Sequence, residues 1–196
     1  MIYPIVAYGD PVLRKKATDI PADYPKLKEL LENMWETMYD ASGVGLAAPQ
    51  IGKPVRIFLV DTTPFADDPD LSEEEQKQLS GFKKAFINAH IVEEKGDEWS
   101  FNEGCLSIPN VREDVFRQEE VTIKYYDEDF KEHIETYHGL AARVIQHEYD
   151  HIEGILFTDK ISSLKKRLIK GKLTNISKGK VSVDYRMKFP EVKGRR

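Results

Sequence analysis

The chain has 196 residues, enough for one domain with a full core, and its 40% hydrophobic and 32% charged composition is that of a soluble globular protein. No apolar run reaches the length of a membrane span, the opening MIYPIVAYGDPVLRKK lacks the apolar centre of a signal peptide, and the single cysteine excludes an internal disulfide, so a cytoplasmic protein with no membrane partner is expected. The net charge of −5 divides into −16 over residues 1–159 and +11 over residues 160–196, where 13 Lys/Arg stand against two acids. An acidic body with a basic end is suited to an anionic surface such as RNA, or else simply balances its own domain.

Residues 3–8 read as a short edge strand running into the turn Gly9-Asp10-Pro11. Leu27, Leu30, Leu31, Met34, Trp35 and Met38 recur at helical spacing, predicting an amphipathic helix over 25–41 that Gly43 ends. The run from Gly43 to Gly52 is small-residued and carries the Gln50 amide. It permits close backbone approach to a ligand, although taken alone it reads more readily as a tight helix-to-strand connection. Residues 55–61 predict a strand, 62–81 an exposed acidic insertion with a short helix over 72–79, and 84–93 and 97–102 further strands. A hairpin around Asp127-Glu128-Asp129 is predicted for 115–126 and 130–137. Near the end, Ser162 or Ser163 is placed to cap a basic helix reaching about 176, with Ile161, Leu164, Leu168 and Leu173 inward. Residues 181–189 have strand character and the last residues read as frayed. The fold class is α+β: a single domain over 1–196, antiparallel strands packed around a central helix, with 62–81 as an insertion and 162–196 as a basic C-terminal extension.

That central helix carries His147-Glu148-Tyr149-Asp150-His151, with Thr136 or Gly139 at its start and Gly154 at its end. Two histidines four apart lie one turn apart on one face, so both rings can reach one metal ion while Glu148 touches water beside it. Two partly exposed histidines on an amphipathic helix are the plain alternative. Against it, Leu140 and Val144 share the histidines' stripe, so the rings point where the helix is otherwise apolar and need a partner. A catalytic site of this type needs a third protein ligand and an open position. Cys105, the only thiol, lies in Glu103-Gly104-Cys105-Leu106-Ser107; a lone cysteine is usually a buried small hydrophobe, but beside this motif it is a candidate ligand.

GVGLAAPQ (43–50), EGCLS (103–107) and HEYDH (147–151), in this order, resemble the three signature motifs of the peptide deformylases, and DPVLR (10–14) resembles a further element of that family. The resemblance spans nearly the whole chain. It implies a bacterial-type enzyme that removes formyl from the N-terminal formyl-methionine of nascent polypeptides. It further implies one divalent ion on Cys105, His147 and His151, with Fe(II) usual and Zn, Ni or Co as substitutes. Glu148 is then the acid/base, and Gln50 with the backbone N–H of Leu106 the oxyanion donors. By the same resemblance the methionine side chain lies near Val44, Phe101, Leu140, Arg143, Val144 and His147, and Gly45 and Leu46 offer backbone partners to the peptide. Arg143 stands where an apolar residue is expected, so its stem is expected along the pocket rim with its charge in water. Arg112 is expected near the substrate backbone, and Asp150 paired with Arg117 as a brace. A monomer is expected, docked on the ribosome through the basic region, so that deleting 162–196 weakens co-sedimentation.

The chemistry agrees. A dication draws the pKa of nearby water toward neutrality, Glu148 can take its proton, and the Gln50 amide and the N–H after Cys105 can receive charge on the formyl oxygen. Two rivals share features. A zinc endopeptidase usually draws its third ligand from downstream, but Glu153 is too near and no His follows His151. An RNA- or ribosome-binding module with a structural metal would usually close its site with four ligands, and three are well placed.

Overall fold

A computed structural model describes residues 1–190. The strands are β1 (Ile5–Val6), β2 (Gly45–Ala47), β3 (Ile57–Asp61), β4 (Lys83–Cys105), β5 (Ile108–Tyr126), β6 (Glu132–His138) and β7 (Met187–Lys188). The helices are α1 (Leu27–Asp40), α2 (Glu73–Leu79), α3 (Gly139–Ile152) and α4 (Ser163–Ser177). Strands β2-β3-β4-β5-β6 form an antiparallel sheet in that order, and β1 pairs in parallel with β7. This is a mixed α/β fold.

The apolar run Ile57-Phe58-Leu59-Val60 is unbroken because β3 is covered on both faces. Ile57 and Leu59 pack with Leu30, Leu31, Met34 and Met38 of α1, while Phe58 and Val60 pack with Ala142, Ile145 and Ile152 of α3. Phe86 of β4 stacks on Phe58, its ring centroid 4.7 Å away, on the α3 side. The sheet is therefore a middle layer, and α3 runs through the interior instead of along a surface. A third apolar cluster joins Leu13, Ile108, Val115 and Phe157 to Ile169, Leu173 and Ile176 of α4.

Several expectations change in detail. The two strands expected over 84–102 are one strand, β4, bent by register shifts, and it forms a long hairpin with β5. Only Ile5–Val6 of the expected first strand and Met187–Lys188 of the expected last one are paired. Ser72 and Ser162 cap α2 and α4 by accepting from the backbone N–H three residues on. On α4, however, Leu164 and Leu168 face outward, 60% and 72% exposed, and the inward stripe is Ile169, Leu173 and Ile176. The helix carries apolar residues on two stripes, and the body packs only one. The region after 162 is thus built into the third cluster and the β1–β7 pair, while the expectation for the last residues lies outside those described. Among the described residues no helix is long and apolar enough to cross a membrane.

Candidate active site

Helix α3 carries His147, Glu148 and His151, and the end of β4 carries Cys105. The β4–β5 register shifts between Gly104 and Cys105, where the hairpin turns across to Ile108, and this brings the sulfur to the helix. Ligand atoms of Cys105, His147 and His151 all lie within 4.8 Å of one another, and Cys105 Sγ is 3.2 Å from His151 Nε2. The two imidazoles sit with centroids 5.2 Å apart. Residues more than forty positions apart in sequence thus converge as one sulfur and two ring nitrogens.

Beneath them lies a buried charged network. Glu103 accepts from His147 Nδ1 at 2.8 Å, which turns the other ring nitrogen away from the carboxylate. Arg117 donates Nε and Nη2 to Glu103 at 2.7 and 3.0 Å and Nη1 to Asp150 at 2.7 Å. Burial alone would raise the Glu103 carboxyl, but His147 and Arg117 hold it well below the usual carboxylate range. For His147, burial pushes down, yet Cys105 and Glu103 pull it well above its ordinary value. His151, buried and facing that charge, is driven well below, so it is neutral and able to ligate.

Glu148 turns toward the glycine-rich loop. A Cβ on Gly45 would come within 2.7 Å of the Glu148 carboxyl carbon, so the glycine there is what lets the loop lie against the acid. Glu148 Oε2 is buried with no hydrogen-bond partner among the described residues, and burial pushes its carboxyl up to about 7, with His147 pulling the other way. Gln50 accepts from the Ala47 N–H at 2.8 Å through Oε1. This fixes the amide so that Nε2 points to Cys105 Sγ, 3.5 Å away, and to Ser107 Oγ, 3.3 Å away.

These groups open on a cavity of about 490 Å³. Of the residues expected at the substrate, Val44, Gly45, Phe101, Arg112, Arg143 and Val144 line it, together with Gln50, Cys105, Leu106, His147 and Glu148. Leu46 is wholly buried in the core and Leu140 is half-buried outside the wall. Arg143 departs from expectation. Its guanidinium is not in water: the residue is 2% exposed, donates to Glu103 and to the carbonyls of Val115 and Trp99, and lies 4.4 Å from the Trp99 ring. A carboxylate, two carbonyls and a ring face substitute for solvent. Arg112 is exposed and donates Nε to Asn102 Oδ1 at 2.9 Å. Sequence reasoning missed Ile108 and Val111 on the wall, and Phe65, which the stretch read as an exposed insertion contributes. The alternation of Leu106 and Ile108 after Cys105 is a signal for Ile108; Val111, three residues on, and Phe65 have none.

The sequence profile of the polypeptide deformylases matches residues 2–167. The chain belongs to the polypeptide deformylase family. It is 69% identical over 193 residues to the peptide deformylase of Christiangramia forsetii, and 68% identical over 193 residues to that of Flavobacterium johnsoniae, with 98% of each chain covered in both cases. Its fold matches the crystal structure of peptide deformylase from Thermus thermophilus with a TM-score of 0.78 at 37% identity, covering 91% of this chain and 99% of that one. The Legionella pneumophila peptide deformylase gives 0.76 at 36% identity, covering 91% and 96%. The deformylase is a hydrolase that removes the formyl group from N-formyl-methionyl peptides, and its family works with a single divalent metal ion.

Proposed function

We propose that Cys105, His147 and His151 hold that ion, Fe(II) in the cell, with zinc, nickel or cobalt able to replace it. The observation that carries this reading is the convergence of one sulfur and two imidazoles beside a buried Glu148 oxygen that has no partner among the described residues. Sulfur with imidazole is a donor set suited to iron or zinc, and a dication there supplies Lewis acidity that draws water toward ionisation at neutral pH. Glu103 holds the Nδ1 proton of His147, so a bound ion would take the place of the proton on Nε2.

Glu148, held near neutrality by burial, takes a proton from the attacking water and returns it to the amine as the formyl C–N bond breaks, releasing formate. Gln50 Nε2 and the Leu106 N–H receive the charge on the formyl oxygen; the Ala47 contact keeps the amide from flipping. The nascent peptide lies along β2, an edge strand of the sheet, with Gly45 and Leu46 offering backbone groups. Its methionine side chain enters the cavity between Phe101, Val144 and the stem of Arg143, with Leu140 behind, and Arg112 approaches the peptide backbone. Unchanged kcat/KM in Arg112→Ala would remove that last role.

The test is formate release from formyl-Met-peptide by protein purified without air, with metal measured on the same sample. Glu148→Gln is expected to keep its metal and lose at least about 100-fold in kcat. Parental activity in that variant, or in Cys105→Ser, would overturn the assignment. With iron bound, activity should decay in air, and much less with nickel; equal decay counts against a ferrous thiolate.

The enzyme is proposed to act as a cytoplasmic monomer that meets the ribosome through α4, whose outer side presents Arg167, Lys170 and Lys172 to solvent. Deleting 162–196 is not a clean test, because Ile169, Leu173 and Ile176 are part of the core. Replacing those three cations by Glu tests it instead: co-sedimentation with ribosomes should weaken, and the salt dependence of what remains should flatten.

A further inference from the structure

Behind α4 the chain returns to the active site. The carbonyls of Arg186 and Lys188 accept from the N–H groups of Ile5 and Ala7 at 2.8 and 2.9 Å, and that of Ser182 accepts from the Asn110 amide at 3.3 Å. Between these anchors Tyr185, half-buried, donates its hydroxyl to the carbonyl of Leu106 at 2.7 Å. The next carbonyl, that of Ser107, accepts from the Tyr8 N–H at 2.8 Å, and the Ser107 hydroxyl accepts from Gln50. The side chain of Leu106 is fixed as well: a Cβ on Gly43 would lie 2.9 Å from Leu106 Cδ1, so the leucine sits directly over that glycine.

The turn after Cys105 sits at a register shift, and its successive carbonyls point away from the hairpin, so their partners must come from elsewhere. Two segments supply them, one from each end of the chain. A peptide plane is rigid, and a residue's N–H and C=O differ by only two soft torsions. Fixing the Leu106 side chain and carbonyl together leaves only φ between them and its N–H, and the pairing of Cys105 with Ile108 holds the far side of that peptide plane.

We infer that Tyr185 is a positioning residue for deformylation: by holding the Leu106 carbonyl from the C-terminal segment, it aims the Leu106 N–H at the oxygen on which charge develops. The inference rests on the proposed role of Leu106. It makes residues beyond α4 part of the active site's construction, although the family profile ends at residue 167. A plain structural tyrosine, burying its ring and satisfying its hydroxyl, is the competing explanation, and the two differ in what they do to kcat.

Tyr185→Phe removes one oxygen and leaves the ring packed. The full-length variant is loaded with cobalt, and kcat per bound metal, KM, metal content and the thiolate-to-cobalt absorption are measured against the parent. The expected result is a fall of about tenfold in kcat per metal, since small misplacements of catalytic groups cost one to two orders of magnitude, with KM, metal content and absorption unchanged. A structural role lowers the thermal midpoint or the metal-loaded fraction without changing kcat per metal, and that result overturns the inference. A second measurement separates it from the reading beneath. Replacing the residue 106 amide by an ester, through an α-hydroxy acid, removes the donor itself and should cost about 100-fold; adding Tyr185→Phe to the ester should then cost nothing more. An ester with parental kcat overturns the oxyanion role of Leu106 and this inference with it. A slow ester beside a Tyr185→Phe of parental rate overturns the inference alone.

Discussion

Two clusters in this protein use the same chemistry in different surroundings. Under Cys105 and His151, Glu103 gathers Arg117, Arg143 and His147, all of them buried or nearly so. At the paired ends of β4, β5 and β6, Glu135 gathers Lys84, Tyr125 and Tyr137, with Lys84 and Glu135 about one-third exposed at 35% and 36%. Each carboxylate is held below its ordinary range by a cation and further donors. The difference is what becomes of the partners when the carboxylate is lost. At Glu135 water can take its place. At Glu103 two guanidinium groups would be left in the interior with no solvent to receive them.

The largest effect therefore belongs to Glu103→Gln. Losing the carboxylate from a buried network costs about 3–5 kcal/mol, and releasing His147 from its fixed tautomer lowers metal affinity by about 10–100-fold. Urea denaturation and metal content on the same preparation check both. A variant as stable as the parent would mean that Asp150 and the backbone carbonyls suffice for the two arginines. Asp150→Asn should do less, about 2 kcal/mol, because it weakens one charge-assisted hydrogen bond of Arg117 while Glu103 still binds the other edge. Unaltered stability and metal content would show that the Asp150–Arg117 contact is not a brace.

The comparison also explains what could be read in the sequence. His147, Glu148 and His151 were legible because their relation is one helical turn, and Ser162 because a cap is a local event. Cys105 and Gln50 were legible through short motifs around them. Arg143 was misplaced because its surroundings come from Glu103, Trp99 and Val115, strand residues at least 28 positions away, and nothing in the helix's own pattern announces a buried carboxylate. Leu164 and Leu168 were misread for a related reason: α4 offers two apolar stripes, and the third cluster packs the one with Ile169, Leu173 and Ile176. Tyr185 belongs to the same class, since its partner lies 79 positions earlier.

The smallest effect sharpens the contrast. Burial pushes the Glu135 carboxyl up, but Lys84 and the two tyrosine hydroxyls bring it down to about 2. Its folded value lies below its unfolded one, so its contribution to stability is complete above the ordinary carboxylate range. That contribution is lost as pH falls from about 4.5 through about 2, where the folded protein too takes up the proton. Because the pair is about one-third exposed, solvent screening leaves about 0.5 kcal/mol or less at neutral pH. Glu135→Gln should then shift the urea midpoint slightly near neutrality, and the gap to the parent should narrow on acidification. A gap that stays constant with pH would mean that the contribution comes from packing of the tyrosine rings. A gap as large as that of Glu103→Gln would mean that burial does not set the scale.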